Sequence, residues 1–255
     1  MIRREINLFF TALMFYTRLP VPRGIGHSED SLNKSVKYFP LMGWIVGGIS
    51  VLIFWGSNFI FGKQIAIALS MIAGLLLTGA FHEDGFADVC DGFGGGWTRE
   101  DILRIMKDSR IGTFGTVGLI AVLGLKFLLL DHFTSHQILL ILPVAHSLSR
   151  LLPTWVIYRW DYTRDDESSK IKPIGKKIKT GEFLAAFIFG CLPLLLFRDP
   201  QFFLIMIPLP FVSLLMMRFF NRWIGGYTGD CLGAVQQISE ITVYLSMIVL
   251  LRYGF

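Results

Sequence analysis

Three aspartates share one face of a predicted helix in the segment HEDGFADVCDGFGGG, residues 82–96. Asp84, Asp88 and Asp91 are spaced i, i+4 and i+7, which at ~100° per residue places their carboxylates in a stripe roughly 60° wide. Neighbouring anions repel one another unless a cation lies among them. Mg²⁺ takes oxygen ligands and shares them with substrate phosphates. The spacing therefore predicts that these three residues form a catalytic magnesium site for phosphate chemistry; a solvated acidic loop is the plainer alternative.

The aspartates belong to a longer segment, residues 82–111, which is predicted to be the loop that connects two apolar runs. A second polar group lies near the end of this loop. Lys107, Asp108, Ser109 and Arg110 come just before the next apolar run. Arg110 can bind phosphate oxygens bidentately, and Lys107 offers a point charge. Several glycines between residues 92 and 96 are predicted to let a ligand approach the backbone closely. These features favour the metal–phosphate interpretation over the solvated loop.

The segment GGYTGDCLGA, residues 225–234, precedes the last apolar run. Its glycines expose backbone N–H groups, and Thr228, Gly229 and Asp230 are predicted to bind substrate. Gln237 and Glu240 continue a polar stripe from Asp230 into the membrane, where buried acids usually mark function. A packing face of small residues with glutamine hydrogen bonds is the alternative, and for Glu240 the two interpretations are equally supported.

Three further polar residues interrupt the apolar runs. His146 and Arg150 are four residues apart, so Arg150 either snorkels to the surface or reaches inward to an anionic ligand. Lys126 is predicted to snorkel at the outer end of its run. His82 is predicted to pack or hydrogen-bond rather than to bind a ligand.

The composition places these residues in a membrane protein. Hydrophobic residues make up 53% of the chain, and the mean hydropathy is +0.57. We predict an all-α polytopic bundle, a single domain over residues 1–255, with an interfacial amphipathic helix at residues 1–18. Seven runs are long enough to cross or nearly cross a bilayer: 39–61, 64–82, 112–131, 137–158, 183–197, 201–220 and 232–251.

The basic residues predict the orientation of the bundle. Nineteen Lys and Arg fall on the side of the N-terminus and only three on the other. Seven of the nineteen are in the basic loop 159–182. By the positive-inside rule the N-terminus and the active site face the cytoplasm of a prokaryotic cell and the C-terminus lies outside. This topology accounts for the basic pI, so no nucleic-acid partner is predicted.

The motifs together resemble those of the cobalamin synthase family, the adenosylcobinamide-GDP ribazoletransferases. The resemblance covers residues 15 to about 240, in order, and rests on five segments: FYTRLPVP, YFPLMGWIVGG, HEDGFADVCDGFGGG, IMKDSRIGTFG and GGYTGDCLGA. Glu83 departs from the pattern, because an apolar residue is also acceptable there; it adds a fourth carboxylate off the main stripe.

The resemblance implies a Mg²⁺-dependent transferase of the last stage of coenzyme B12 synthesis. Its substrates would be adenosylcobinamide-GDP and α-ribazole or its 5′-phosphate, and its products adenosylcobalamin or its 5′-phosphate and GMP. Lys107, Arg110 and Arg18 would hold phosphates, and Asp108 or Asp91 would take the proton of the attacking hydroxyl. The lipid bilayer is an expected partner, and the sequence leaves open whether the protein forms a homo-oligomer.

Three alternatives share parts of the pattern. CDP-alcohol phosphotransferases and intramembrane prenyltransferases also carry aspartate-rich helices with Mg²⁺ at a membrane surface. The prenyltransferases are disfavoured because they have two aspartate-rich motifs, whereas this chain pairs one with a glycine-rich TGD segment. A metal transporter would need polar residues deep in several spans, and here the acids cluster at one surface.

Overall fold

A computed structural model describes residues 2–26, 28–163 and 177–253. Within these ranges the chain is helical, and only an isolated bridge between Tyr162 and Tyr227 pairs extended backbone. The α-helices are α1 (Ile2–Tyr16), α2 (Glu29–Ser35), α3 (Phe39–Phe61), α4 (Lys63–Thr78), α5 (Phe81–Gly95), α6 (Arg99–Ile105), α7 (Thr113–His132), α8 (Ser135–Arg159), α9 (Thr180–Cys191), α10 (Pro208–Ile224) and α11 (Gly229–Tyr253). Most of the predicted basic loop 159–182 lies outside the described residues.

The predicted helical membrane architecture is confirmed. In the described part of the chain, six helical segments are long and apolar enough to cross a bilayer, and α4 with α5 makes a seventh if the bent pair is one span. Their outer faces are apolar: Leu52, Phe59, Ile120 and Leu128 are each at least 65% exposed. Such side chains are stable facing lipid, not water.

The predicted span 64–82 does not end as expected. α4 ends at Thr78, and the chain turns by 88° into α5. Gly79 and Ala80 form the turn with φ of 68° and 56°, a left-handed conformation that stops an α-helix. The segment 82–111, predicted as the loop between two spans, is largely helical: the turn starts α5, which confirms the helix predicted for the aspartates, and α6 follows with Thr98 as its N-cap.

Glycines bring the central helices into contact. A Cβ on Gly43 would lie 2.3 Å from the backbone oxygen of His146, and one on Gly47 would lie 2.8 Å from the Cα of Pro143. α3 and α8 therefore cross backbone to backbone, as small residues allow in membranes. α8 is the most buried of the candidate spans and occupies the centre of the bundle.

The N-terminal helix α1 packs on α3 and does not count among the candidate spans. Tyr16 stacks on Phe39 with ring centroids 4.1 Å apart, and Ala12 and Met42 belong to the same buried cluster. Ile2 and Ile6 stay exposed. The location of α1 at the membrane interface stays a prediction.

Candidate active site

Helices α5 and α11 cross at Gly85. A Cβ on Gly85 would lie 2.9 Å from the Cα of Asp230, and one on Gly233 would lie 2.9 Å from the backbone oxygen of His82. The later residue of α11 thus contacts the earlier residue of α5, so the two helices run antiparallel. This crossing joins the aspartate segment to the TGD segment, which are separated by more than 120 residues in the sequence.

The TGD segment is held rigidly at the start of α11. Thr163 N donates to Tyr227 O at 2.9 Å, and Thr163 Oγ1 donates to Ile224 O at 2.6 Å. Thr228 is buried and caps α11, accepting a hydrogen bond from Cys231 N at 3.3 Å. The predicted contact of Thr228 with substrate stays a prediction, while the exposed Gly229 and half-buried Asp230 lie at the surface. The positive end of the α11 dipole is suited to a phosphate group there.

The three aspartates of the predicted stripe differ in their surroundings. Asp84 is exposed and Asp88 is half-buried. Asp91 is buried, and its two oxygens accept hydrogen bonds from Gly112 N at 2.7 Å and Gly115 N at 2.8 Å. Asp91 therefore binds the N-terminus of α7, where a carboxylate is stabilised by the helix dipole. Sequence spacing placed all three on one stripe, but neighbouring helices decide what each one contacts.

The donor set at the crossing fits Mg²⁺ if phosphates complete it. Among the described residues, no group of three or more His, Cys, Asp or Glu side chains is arranged to hold a metal by itself. Mg²⁺, however, is commonly bound by one or two carboxylates together with substrate phosphates and water. Asp84 and Asp88, one turn apart beside Asp230, supply that number of oxygen ligands. The metal assignment to Asp84, Asp88 and Asp91 stays a prediction.

The segment 107–110 lies exposed before α7. Arg110 donates to Asp108 from Nε at 3.1 Å and from its terminal nitrogen at 2.8 Å. These bonds and the backbone N–H of Arg110 lower the pKa of Asp108 to about 2. A carboxylate with so low a pKa is a weak base, so the arrangement favours Lys107 and Arg110 as phosphate ligands more than Asp108 as a proton acceptor.

Arg18 reaches the start of α5 from the N-terminal segment. Its backbone N–H donates to Leu77 O at 2.7 Å. Its guanidinium covers Gly79, where a Cβ would lie 2.3 Å from Nε. Because Gly79 forms the turn before α5, this exposed cation lies near the first turn of the helix that carries the aspartates.

Comparisons with known proteins agree with this assembly of motifs. The family model described as cobalamin-5-phosphate synthase matches residues 8–248. This chain belongs to that family. It is 46% identical over 245 residues to the adenosylcobinamide-GDP ribazoletransferase of Shewanella frigidimarina, covering 95% of this chain and 94% of the relative. It is 43% identical over 249 residues to the enzyme of the same name from Shewanella oneidensis, covering 96% and 95%. No solved structure matches the chain significantly.

Membership of the cobalamin-5-phosphate synthase family confirms the resemblance found in the sequence. The chain is an enzyme, a transferase of cobalamin synthesis, and it is built from helices that suit a membrane. The five segments on which the resemblance rests lie between residues 15 and 234, within the matched range. All five meet at α5, which contacts Phe15, Phe39, Met106 and Asp230 of the other four segments.

A polar network inside the bundle is the main feature that the sequence did not reveal. The prediction that Lys126 snorkels outward is wrong: it is 4% exposed and pairs with Glu240 at 3.0 Å. Lys126 Nζ also donates to Gln237 Oε1 at 2.7 Å, and Gln237 Nε2 donates to Glu83 Oε1 at 2.8 Å. The helical spacing of α7 could have predicted that Lys126 is buried, since Lys126 lies on the same helix face as the buried Val122 and Leu129.

Arg150 belongs to this interior and not to the exposed surface. It is 2% exposed, donates to the backbone oxygen of His146 at 2.9 Å and lies 5.9 Å from the centre of the Phe39 ring. The side chain of Arg150 therefore points into the bundle and does not snorkel to the membrane surface. The predicted contact with substrate is untested.

The crossing at Gly85 leads to the first mutational prediction. In Gly85→Ala the new methyl group meets the backbone of Asp230, which has no flexible end to move aside. We expect a loss of turnover of about tenfold to a hundredfold, since shifts near 1 Å in catalytic groups have effects of this size. Gly124→Ala is the matched control, because nothing lies within 4 Å of its Cβ position. Equal activities of the two variants would show that the close approach is unimportant.

Proposed function

We propose that this family member joins adenosylcobinamide-GDP to α-ribazole or its 5′-phosphate at the α5–α11 crossing. A ribose hydroxyl of the ribazole forms the new P–O bond to the phosphate attached to the cobinamide. The bond from that phosphate to GMP breaks, and the hydroxyl loses its proton. The relatives in Shewanella carry the name of this reaction.

The observation that carries the proposal is the contact between Gly85 and Asp230. It places two motifs with carboxylates, glycines and a helix N-terminus side by side on one surface. A diphosphate needs such a surface, because it is held by cations and by backbone N–H groups. Arg18 lies close to the start of α5, while Lys107 and Arg110 lie just before α7.

Magnesium completes the proposed site. Asp84 and Asp88 would hold it, and when bound it neutralises charge on the transferred phosphate and on departing GMP. Asp91 is retained by α7 through two backbone N–H groups. Asp108 is held by Arg110. We assign the proton of the attacking hydroxyl to Asp230 by its position, because its backbone lies against α5 at the crossing and its side chain accepts a hydrogen bond from Thr228 Oγ1 at 3.3 Å.

The proposed surface faces the cytoplasm. This orientation is supported by the distribution of nineteen basic residues against three across the spans. Reporter tags on both termini, probed in intact cells and in inverted vesicles, check it. We expect the N-terminal tag to react only in inverted vesicles and the C-terminal tag only in intact cells.

The reaction is tested with purified protein in lipid vesicles, supplied with adenosylcobinamide-GDP and α-ribazole. GMP and adenosylcobalamin are measured with Mg²⁺ and after its removal by EDTA. We expect equal amounts of both products with Mg²⁺, near-complete loss after EDTA, and recovery when Mg²⁺ is restored. Turnover that is unaffected by EDTA would refute the metal assignment, and absence of both products would refute the proposed reaction.

A further inference from the structure

A small chamber lined by both charged and apolar side chains lies inside the bundle, next to the turn between α4 and α5. It has a volume of ≈ 40 Å³, is partly open, and is lined by residues of α3, α4, α5, α7, α8 and α11. A cavity needs about 10–15 Å³ to hold one water molecule, so this one has room for roughly three non-hydrogen atoms. A nucleotide, a ribazole or a corrin ring does not fit.

The chamber contains a cation and an anion that are not paired with each other. Glu83 and Arg150 both line it, and the ion pairs among the described residues include none between them. Lys126 and Glu240, also in the lining, pair with one another. Glu83 Oε1 accepts from Gln237, whereas Glu83 Oε2 is buried without a hydrogen-bond partner. His82, 2% exposed, likewise has a buried Nε2 without a partner.

Unpartnered buried groups of this kind are costly, and in a native protein they usually bind something. The matching group is neutral, because a carboxylate would be repelled by Glu83 and an ammonium by Arg150. It donates to Glu83 Oε2 and accepts from Arg150 or His82. A primary carboxamide has these properties and consists of three non-hydrogen atoms.

We propose that the chamber binds a primary carboxamide arm of the corrinoid substrate. This inference rests on the proposed function, because cobinamide is a corrin that carries such amides. Glu83 is half-buried and adjacent to the exposed Asp84, so it connects the chamber to the phosphate site. An arm in the chamber fixes the corrinoid on one side while its diphosphate lies at the α5–α11 crossing. Glu83 and Arg150 are then the residues that make the chamber prefer a carboxamide arm of the corrinoid over a carboxylic acid arm.

The test measures binding without turnover. Purified protein in lipid vesicles, without ribazole, is titrated with adenosylcobinamide-GDP and with each of its monocarboxylic acids, in which one amide is hydrolysed. We expect one of the acids to bind about tenfold more weakly than the amide, because its charge faces Glu83. In Glu83→Gln that difference should largely disappear, since the repelling charge is gone. Arg150→Met should weaken amide binding by about tenfold.

Glu100→Gln is the matched control, because its carboxylate is exposed on α6 and outside the chamber. It should keep the wild-type preference, and thermal melting of all variants checks their folding. Equal binding of every acid and the amide by the wild type, or a preference unchanged in Glu83→Gln, overturns the inference and means that the chamber holds water only. Turnover with Mg²⁺ in the same preparation shows separately whether the proposed reaction stands.

Discussion

Asp84→Asn is expected to lower the rate of GMP release by about a thousandfold or more while the protein stays folded in the membrane. The substitution keeps the size of the side chain and removes only its charge. Asp84 is exposed on α5, so its loss leaves no unfilled space in the core. A metal held by two carboxylates loses half of its protein ligands, and charge stabilisation of phosphoryl transfer depends on that metal. Initial rates over a range of Mg²⁺ concentrations measure the effect.

Two further variants separate metal binding from structure. Glu100→Gln removes another exposed carboxylate, on α6, and should leave the rate unchanged. Asp91→Asn weakens the bonds that hold the N-terminus of α7. It should cost about 1 kcal/mol of stability and reduce turnover less than Asp84→Asn does. A near-normal rate of Asp84→Asn would remove Asp84 from the metal site.

Lys126→Met is expected to destabilise the protein by about 3–5 kcal/mol, the largest effect on stability among the variants considered. Lys126 and Glu240 are both buried and lie 3.0 Å apart. Removing the lysine leaves a carboxylate in the bundle interior without its countercharge, and uncompensated buried charges have costs of this size. The midpoint of unfolding in detergent, followed by circular dichroism, measures the change.

The double variant Lys126→Met, Glu240→Gln distinguishes charge imbalance from loss of packing. It removes both charges, so most of the stability should return. Lys63→Met is the matched control, since Lys63 also pairs with an acid at 3.0 Å, Asp131, but both of these side chains are only half-buried. Its effect should stay within about 1 kcal/mol. A double variant as unstable as the single one would show that the ion pair is not what stabilises this region.

Much of the fold was predictable because its signals are local. The apolar runs and their lengths predicted seven spans, and the described residues contain seven candidate spans if the bent α4–α5 pair counts as one. The helical spacing of Asp84, Asp88 and Asp91 was also predictable, since a period of 3.6 residues is a property of the chain itself. The turn at Gly79 and Ala80 was missed because Ala80 adopts a left-handed conformation that its residue type does not favour.

The sequence by itself determined the family, the membrane-suited helices and the two motifs that carry carboxylates. Only the tertiary structure decided which of those carboxylates share a surface. Gly85 contacts the backbone of Asp230 because two distant helices meet at glycines, Gly85 on α5 and Gly233 on α11, which have no side chain to separate them. The same packing of distant helices places the Asp91 carboxylate at the N-terminus of α7 and pairs Lys126 with Glu240. Helical periodicity fixes the face on which a residue lies, but the neighbour on that face depends on contacts between residues far apart in the chain.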